Sequence, residues 1–565
     1  MRGVRRGEES VLSRKESYAA TVSAFQWDIP DYYNIGTDVC DRWAVADPDR
    51  IALIEVGEDG YGPARETSFA ELRAASNRFA NVLTGLGLGG DGVTAGERVA
   101  ILLPQRRETA IAHIAAFKAG CVSLPLFTLF GPEALLHRLR DSGARVLVTD
   151  HASLPMIAEI RAELPDLEVI FSVDGPAVGA QDFDAALAAA PEAFTPVDSR
   201  SSAPALLIYT SGTTGNPKGA LHAHRVLLGH LPGVEMSHDF LPQPGDCIWT
   251  PADWAWIGGL LDVLLPALHH GVPVVACRFR KFSARAAADL IRRFGVRNAF
   301  LPPTALKMMK ADPDSADWAL NMRSVASGGE PLGAQLLEWG RQALGVTINE
   351  FYGQTECNMV VSSCGVLEAP ETGVMGWPVP GHRVDVIDEI TAERLPDGAE
   401  GAIAILSPDP VMFLGYWQQP VATAEKFVTG PEGRWLVTGD RGLRRPDGRL
   451  VFKGRNDDII STGGYRVGPA EIEDCLISHP AVAMAGVVGQ PDPLRGEIVA
   501  AFVKLRAGHD DCASLRDEIA SHVRTRLAAY EYPRALYVVE ELPVTTTGKI
   551  IRGELRKRLI AEALQ

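Results

Sequence analysis

The stretch Tyr209–Gly219, YTSGTTGNPKG, decides how this chain is read. It follows directly on the apolar run from Ala205 to Ile208, which reads as a buried strand. Gly and Pro punctuate the stretch itself, so it reads as a loop. Glycines let the backbone come close to an anion and aim several N–H groups at it. The Ser and Thr hydroxyls add donors, and the lysine adds a point charge. The chemistry implied is phosphate binding. It is not the usual P-loop spacing, G-x-x-x-x-G-K-[ST]. Gly212 and Gly215 stand too close together, Asn216 and Pro217 precede Lys218, and Gly219 follows it. The plainer alternative is a flexible surface loop.

Working outward, the chain has 565 residues, which at about 150 per domain suggests three to four units. A hydrophobic share of 46% and a charged share of 22% are those of an ordinary globular protein. Net charge is −16, from 55 basic and 71 acidic residues, which argues against a nucleic-acid surface. The eight cysteines are scattered without a C-x-x-C pair, so neither a zinc site nor a disulfide framework is expected. No apolar run reaches the roughly 18 residues of a membrane span. The opening MRGVRRGEESVLSRKESYAA has arginines but no apolar core, so a disordered terminus and a cytoplasmic location are expected. The mitochondrial matrix is the alternative.

Upstream, residues 20 to 50 are aromatic and irregular. Ser68 with Glu71 spells a capping box, and Phe69, Leu72, Phe79, Leu83 and Leu86 keep helical spacing. Strand and helix patterns then alternate to about residue 149, which predicts βαβ units and a mostly parallel sheet. Residues 174 to 204 lack strand pattern and read as a boundary, so the phosphate strand would open a second α/β unit. From about 375 short β segments take over. The expected fold is α/β: a large domain, 1–455, of two doubly wound α/β subdomains plus a small β-rich one at about 375–455. A small mobile α+β domain, 456–565, follows.

Three further motifs carry chemistry. NEFYGQTE, Asn349 to Glu356, leaves a predicted strand at its carboxyl end, where α/β sheets place ligands, and Glu356 is an oxygen ligand suited to magnesium. Thr438-Gly439-Asp440 precedes KGRNDDIISTGGYRVGPAEIE, Lys453 to Glu473, in which Arg455 and Arg466 suit phosphate contact. PVTTTGK, Pro543 to Lys549, is a polar loop near the C-terminus. Taken singly, each also reads as a turn.

In this order and spacing, from about residue 35 to 560, the four motifs resemble the acyl-adenylate-forming superfamily, closest to medium-chain acyl-CoA synthetases. The resemblance implies an enzyme that joins a carboxylate to AMP, releasing pyrophosphate, then passes the acyl group to CoA. ATP, Mg2+ and CoA are the implied cofactors and co-substrates. Thr210, Ser211, Gly212, Thr213, Thr214, Gly215 and Lys218 would wrap the β- and γ-phosphates. Gly329, Glu330 and Pro331 with Glu350, Phe351 and Tyr352 would flank adenine, followed by Gly353 and Gln354. Thr355 would contact the α-phosphate, and Glu356 would hold the metal. Asp440 would take the ribose hydroxyls with Arg455 helping, and Lys549 would be the catalytic lysine. Asp457 falls at the hinge. Gly463, Gly464 and Tyr465 would line the pantetheine tunnel, with CoA phosphates near Arg495, Arg524, Tyr532 and Arg534. A homodimer, and an acetyltransferase and deacetylase acting on Lys549, are implied as partners.

Acetyl-CoA synthetases carry a tryptophan where this chain has Gly353, so a longer, branched or aryl acid is expected in a pocket lined by Trp254, Trp256, Tyr352 and Gly353. The adenine side lacks one hydroxyl, because Phe351 stands where relatives have Ser. His222 and His224 read as polar residues at a helix start. Alternatives to acid–CoA ligation are a ligase that loads a carrier protein, a short-chain (acetyl or propionyl) CoA synthetase, and a non-catalytic nucleotide sensor.

Overall fold

Ser68 accepts a hydrogen bond from Glu71 N at 3.2 Å, and the Glu71 carboxylate accepts one from Ser68 N at 2.9 Å. This capping box starts the helix Phe69–Gly85, whose inner face buries Phe69, Leu72, Phe79 and Leu83, as the spacing predicts. The computed structural model describes residues 10–210, 217–455, 458, 460–462, 465–492, 496–527, 531–545 and 549–563.

The strands in chain order begin with β1 (Ile51–Val56), β2 (Ala64–Ser68), β3 (Arg98–Leu102), β4 (Val122–Pro125), β5 (Val146–Thr149), β6 (Val169–Ser172), β7 (Gln181–Asp182), β8 (Pro204–Thr210) and β9 (Lys218–Ala223). Then come β10 (Ile248–Trp249), β11 (Val274–Ala276), β12 (Asn298–Phe300), β13 (Ser324–Gly328), β14 (Ile348–Gln354), β15 (Asn358–Ser362), β16 (Val374–Pro378), β17 (Val384–Ile387), β18 (Glu400–Leu406) and β19 (Gly415–Tyr416). The last are β20 (Phe427–Gly430), β21 (Gly433–Arg444), β22 (Leu450–Arg455), β23 (Ile460–Thr462), β24 (Tyr465–Val467), β25 (Val482–Asp492), β26 (Gly496–Leu505) and β27 (Ala535–Val538).

The chain divides into two units. The first is Met1–Arg383 with Leu406–Phe427; the second is Val384–Ile405 with Val428–Gln565. One sheet of the first unit runs β19-β9-β8-β4-β3-β5-β6-β7, parallel from β8 onward. The other runs β16-β15-β14-β13-β12-β10-β11-β1-β2, parallel from β14 to β1. The helices Arg107–Lys118 and Val226–Ser237 belong to the apolar core that holds residues of both sheets, including Ile101, Leu206, Val274 and Phe351. Burial on every side explains why these helices lack a polar stripe.

Three expectations change here. Residues 174–204 are not a break: they hold β7 and the helix Phe183–Ala189, and Phe183 packs on Phe79 with ring centroids 4.7 Å apart. The phosphate strand β8 pairs with β4, Ser123 opposite Leu206, and so extends the first sheet instead of opening a second. The second sheet recruits β1 from the N-terminal region, Leu53 opposite Val274. The "irregular" residues before β1 include the helix Tyr18–Ala24 and a helical turn pair over Thr37–Ala46. Sequence order favours neighbouring strands as partners, but burial of both strand faces decides the pairing.

In the second unit β17-β18-β21-β22 form an antiparallel sheet with β20 against β21. A second sheet runs β24-β23-β26-β25 with β27 on β26. The helices Pro469–Ile477 and Ala513–Arg526 set Ile472, Leu476, Ile519 and Val523 in one core. Arg552–Ala563 sets Leu555 and Leu559 in another with Val488 and Phe502. Of the expected β-rich subdomain at about 375–455, residues 384–405 and 428–455 group with the C-terminal residues, whereas 406–427 group with the first unit. Among the described residues no helix is long and apolar enough to cross a membrane.

Near the N-terminus, Val11 N and Leu12 N donate to the fully buried Glu235 carboxylate at 2.8 and 2.7 Å. Tyr18 stacks on Trp377 and donates to Pro378 O at 2.7 Å, so residues 10–27 strap across the first unit.

Candidate active site

β8 and β9 form the hairpin that carries the quoted stretch. Thr210 pairs with Lys218, so Lys218 and Gly219 open β9 and are strand, not loop. Ser211, Gly212, Thr213, Thr214 and Gly215 lie outside the described residues. The hairpin base is fixed from behind. Tyr209 donates to Asp141 Oδ2 at 2.6 Å, and His137 Nε2 meets Pro217 O at 2.9 Å. β19 pairs with the outer edge of β9, Tyr416 opposite Ala220.

That pairing brings a residue the sequence did not single out. The Tyr416 ring lies under Lys218, with Nζ 5.3 Å from its centroid, and its hydroxyl donates to Glu356 Oε1. Burial, followed by the Glu356 charge, holds the Tyr416 phenol far above its ordinary pKa. Its hydroxyl therefore acts as a donor to the carboxylate at any working pH. Glu356 is itself buried, and its carbonyl accepts from Phe413 N at 2.8 Å. No motif spacing announces Tyr416; only the strand pairing places it.

β13 and β14 are adjacent and parallel, with Gly328 opposite Phe351. This puts Gly329, Glu330 and Pro331 beside Glu350, Phe351 and Tyr352, as expected of one ligand edge. Gly329 takes φ +92°, a turn that suits glycine. Glu330 lies 3.8 Å from Lys307 Nζ, and Glu350 Oε2 accepts from Leu332 N at 3.4 Å. Phe351 turns inward: its ring lies 5.3 Å from that of Phe300, and a Cβ on Gly328 would meet it at 2.5 Å. The missing hydroxyl is thus replaced by core packing.

Gly353 behaves differently from expectation. A Cβ there would stand 1.6 Å from Asn358 O, because β14 and β15 slip register between Tyr352 and Gly353. The space in the direction of its missing side chain is occupied by backbone and is not open to an acyl chain. Gln354 ends β14, and Thr355 follows in the turn to Asn358, which takes φ +54°. Trp254 is fully buried within the core, and Trp256 sits 5.3 Å from Phe127 and 6.1 Å from Phe130, ring to ring. Both indole N–H groups are buried without a hydrogen-bond partner among the described residues. Trp254 is core; Trp256 belongs to an aromatic group that also includes Arg138, 3.9 Å over Phe130.

His222 and His224 are not at a helix start. His222 is on β9 opposite Leu206, fully buried, and burial pushes it down to about 3. His224 follows the strand and accepts from Ile35 N at 3.2 Å; burial holds it at about 3 as well.

In the second unit Asp440 and Arg455 face each other across β21 and β22, Oδ1 to Nε 3.6 Å. Thr438 anchors the turn, accepting from Asp440 N at 3.1 Å and donating to Ile403 O at 2.8 Å, while Gly439 takes φ +83°. Lys549 is exposed and ends a tight bridge: its N donates to Thr545 Oγ1 at 3.0 Å, and its carbonyl accepts from Thr545 N at 2.7 Å. Just beyond, Arg552 donates to Glu473 at 2.6 Å and Asp458 at 3.2 Å, and Arg556 donates to Asp458 at 2.6 Å. The lysine loop is thereby tied to the residue after Asp457. Asp457, Gly463, Gly464 and Arg495 lie outside the described residues, and only the backbone of Tyr465 and Arg466, on β24, is described. Arg524 and Arg534 flank Tyr532 at 5.7 and 4.8 Å, so these three expected CoA residues stand together.

The model of the AMP-binding enzyme family matches residues 40–417, and that of the AMP-binding enzyme C-terminal domain matches 471–549. The mouse (Mus musculus) mitochondrial acyl-coenzyme A synthetase ACSM3 is 32% identical over 554 residues, 96% of this chain and 93% of its own. Among solved structures, the anthranilate CoA ligase AuaEII in complex with anthranoyl-AMP superposes with TM-score 0.84 at 30% identity, over 95% of this chain and 99% of that one. The Brucella canis acyl-CoA synthetase does so with TM-score 0.72 at 34% identity, over 97% and 99%. The chain belongs to the AMP-binding enzyme family and is, within it, an AMP-forming acyl-CoA synthetase.

Proposed function

We propose that the enzyme activates a medium-chain, branched or aryl carboxylic acid with ATP and Mg2+, releases pyrophosphate, and passes the acyl group to CoA with release of AMP. The observation that carries this reading is the Lys218–Tyr416–Glu356 group, in which a lysine of the β8–β9 hairpin lies over the ring of one tyrosine on β19 and a carboxylate beyond β14 accepts from its hydroxyl. A carboxylate is a poor electrophile, and two anions must meet before it becomes a better one. Lys218 steadies the departing pyrophosphate, Thr355 the α-phosphate, and the Asp440–Arg455 pair the ribose. Lys549 offsets the charge on the attacking carboxylate and the α-phosphate.

Glu356 fits a magnesium ion: it is a hard oxygen donor, and among the described residues no group of three or more His, Cys, Asp or Glu could hold a metal alone. One carboxylate with substrate phosphates and water is the usual magnesium shell. The ion, when bound, screens the phosphate charge.

The two half-reactions call for different helpers: Lys549 for the first, and the Gly463–Tyr465 segment with Arg495, Arg524, Tyr532 and Arg534 for the second. A turn about Asp457 between domains 1–455 and 456–565 presents them one at a time. Acetylation of Lys549 removes its charge and stops the first step. The test is pyrophosphate release by the purified enzyme with ATP, Mg2+ and CoA, over acids from acetate to decanoate and over benzoates. Acid-dependent pyrophosphate, AMP and a thioester are expected. Acid-dependent release of ADP in place of AMP would refute the reading.

A further inference from the structure

One helix outside the four motifs holds both strands of the phosphate hairpin. The C-terminal end of this helix, Pro132–Ser142, is fixed by Arg98 of β3, which donates to Ser142 O at 2.7 Å and to Gly143 O at 2.9 Å. Asp141, in its last turn, makes two bonds. The carboxylate accepts from the Tyr209 hydroxyl at 2.6 Å, and the carbonyl accepts from Trp417 Nε1 at 3.1 Å. Trp417 N in turn donates to Gly219 O at 2.7 Å. One turn earlier, His137 Nε2 meets Pro217 O at 2.9 Å; a carbonyl only accepts, so that nitrogen carries the hydrogen. The His137 ring also stands edge-on to Tyr209, with centroids 6.1 Å apart.

Lys218 is thereby gripped on both sides. The carbonyl before it is held by His137. The carbonyl of Gly219, just after it, is held by Trp417 and, through Trp417, by Asp141. Across the hairpin, Thr210 pairs with Lys218 and follows directly on the tethered Tyr209. Tyr209 is 4% exposed. Burial, followed by the hydrogen bond to Asp141, holds its phenol far above its ordinary pKa, so the hydroxyl stays a donor. A lysine is a point charge on a flexible four-carbon stem. Its ammonium is placed only as well as its backbone is held, and a misplacement of about 1 Å can cost about a hundredfold in rate.

We infer that His137 and Asp141 are positioning residues for the first half-reaction, holding Thr210 and Lys218 against the pyrophosphate end of ATP. This rests on the adenylation reading of the same hairpin. Both act through the hairpin, His137 on the Pro217 carbonyl and Asp141 on Tyr209 and Trp417. AMP and acyl-AMP lack the pyrophosphate, so their handling is indifferent to the grip.

The test uses the full chain and near-isosteric variants. Tyr209→Phe and His137→Phe each keep a ring and remove one donor. Each should lower kcat/KM for ATP in pyrophosphate release about tenfold. Asp141→Ala should do at least as much, whereas Asp141→Asn keeps an acceptor for Tyr209 and should retain part of the rate. Two readouts should stay within about twofold of wild type: AMP binding by calorimetry, and thioester formation from supplied acyl-AMP and CoA. A merely structural role would lower these together with the melting temperature. Parallel loss of thioester formation, weakened AMP binding, or an unchanged kcat/KM for ATP overturns the inference. Adenylation stands in each case while the wild type releases pyrophosphate with an acid. Absence of that release from the wild type overturns both.

Discussion

Tyr416→Phe removes a single oxygen and separates two roles of one residue. The ring remains, so Lys218 keeps its 5.3 Å contact. What is lost is the hydroxyl that donates to Glu356 Oε1. A hydrogen bond to a charged group contributes about 1.5–3 kcal/mol. Losing the partner that orients a metal-binding carboxylate lowers metal affinity about ten- to a hundred-fold, which is about 1.4–2.8 kcal/mol. The two estimates agree, so the Mg2+ concentration for half-maximal pyrophosphate release should rise at least tenfold or so at saturating ATP. At saturating Mg2+ the rate should recover. Direct Mn2+ binding by electron paramagnetic resonance gives a readout independent of turnover and should weaken in parallel. Combined with Glu356→Gln, the change should add little, because both act on one contact. Tyr416→Ala also removes the ring and should additionally raise KM for ATP. An unshifted Mg2+ dependence in Tyr416→Phe would refute the argument that this hydroxyl prepares Glu356.

Lys549→Ala should abolish acyl-AMP formation yet spare thioester formation from supplied acyl-AMP; equal loss of both half-reactions would sink the two-conformation account. Gly353→Ala forces a Cβ against Asn358 O, 1.6 Å away, and should cost on the order of 1–3 kcal/mol and impair adenylation by displacing Gln354 to Glu356. Unchanged melting and unchanged activity would show that the turn yields. His113, His222, His224 and His238 are buried and pushed down to about 3, below their ordinary 6.5. Since the unfolded chain then binds more protons, stability is whole above about pH 6.5 and is lost toward pH 3, by about 2 kcal/mol per histidine at pH 5. Urea midpoints measured from neutral to mildly acid pH should fall steadily; a flat profile would contradict this.

The sequence was most legible where the information is local. The capping box at Ser68 and the strand before Tyr209 follow from neighbours a few residues away. Pairing partners were not legible. Nothing in residues 205–208 says that β8 lies beside β4, or that β1 completes the other sheet, because both joins are chosen by burial of distant surfaces. The same limit hid Tyr416, which reaches Glu356 only through the edge pairing of β19. It also misplaced His222, whose polar side chain gives no hint of a fully buried strand position. Gly353 was misread for a different reason: a missing side chain suggests space, but here a bulged turn fills it with a carbonyl.

The division of the first unit has a consequence for biosynthesis. Its last piece, Leu406–Phe427, is separated from the rest by Val384–Ile405, which belongs to the other unit. A chain emerging from the ribosome therefore carries β9 with its outer edge unpaired until Gly415 and Tyr416 have been made. An open edge of this kind is a template for unwanted strand pairing, and N-terminal regions ordinarily fold as they appear. The phosphate hairpin is thus among the last parts of the first unit to be closed. The residue that closes it, Tyr416, is also the one that donates to Glu356, so a prematurely ended chain is left without both the seal and that hydrogen bond.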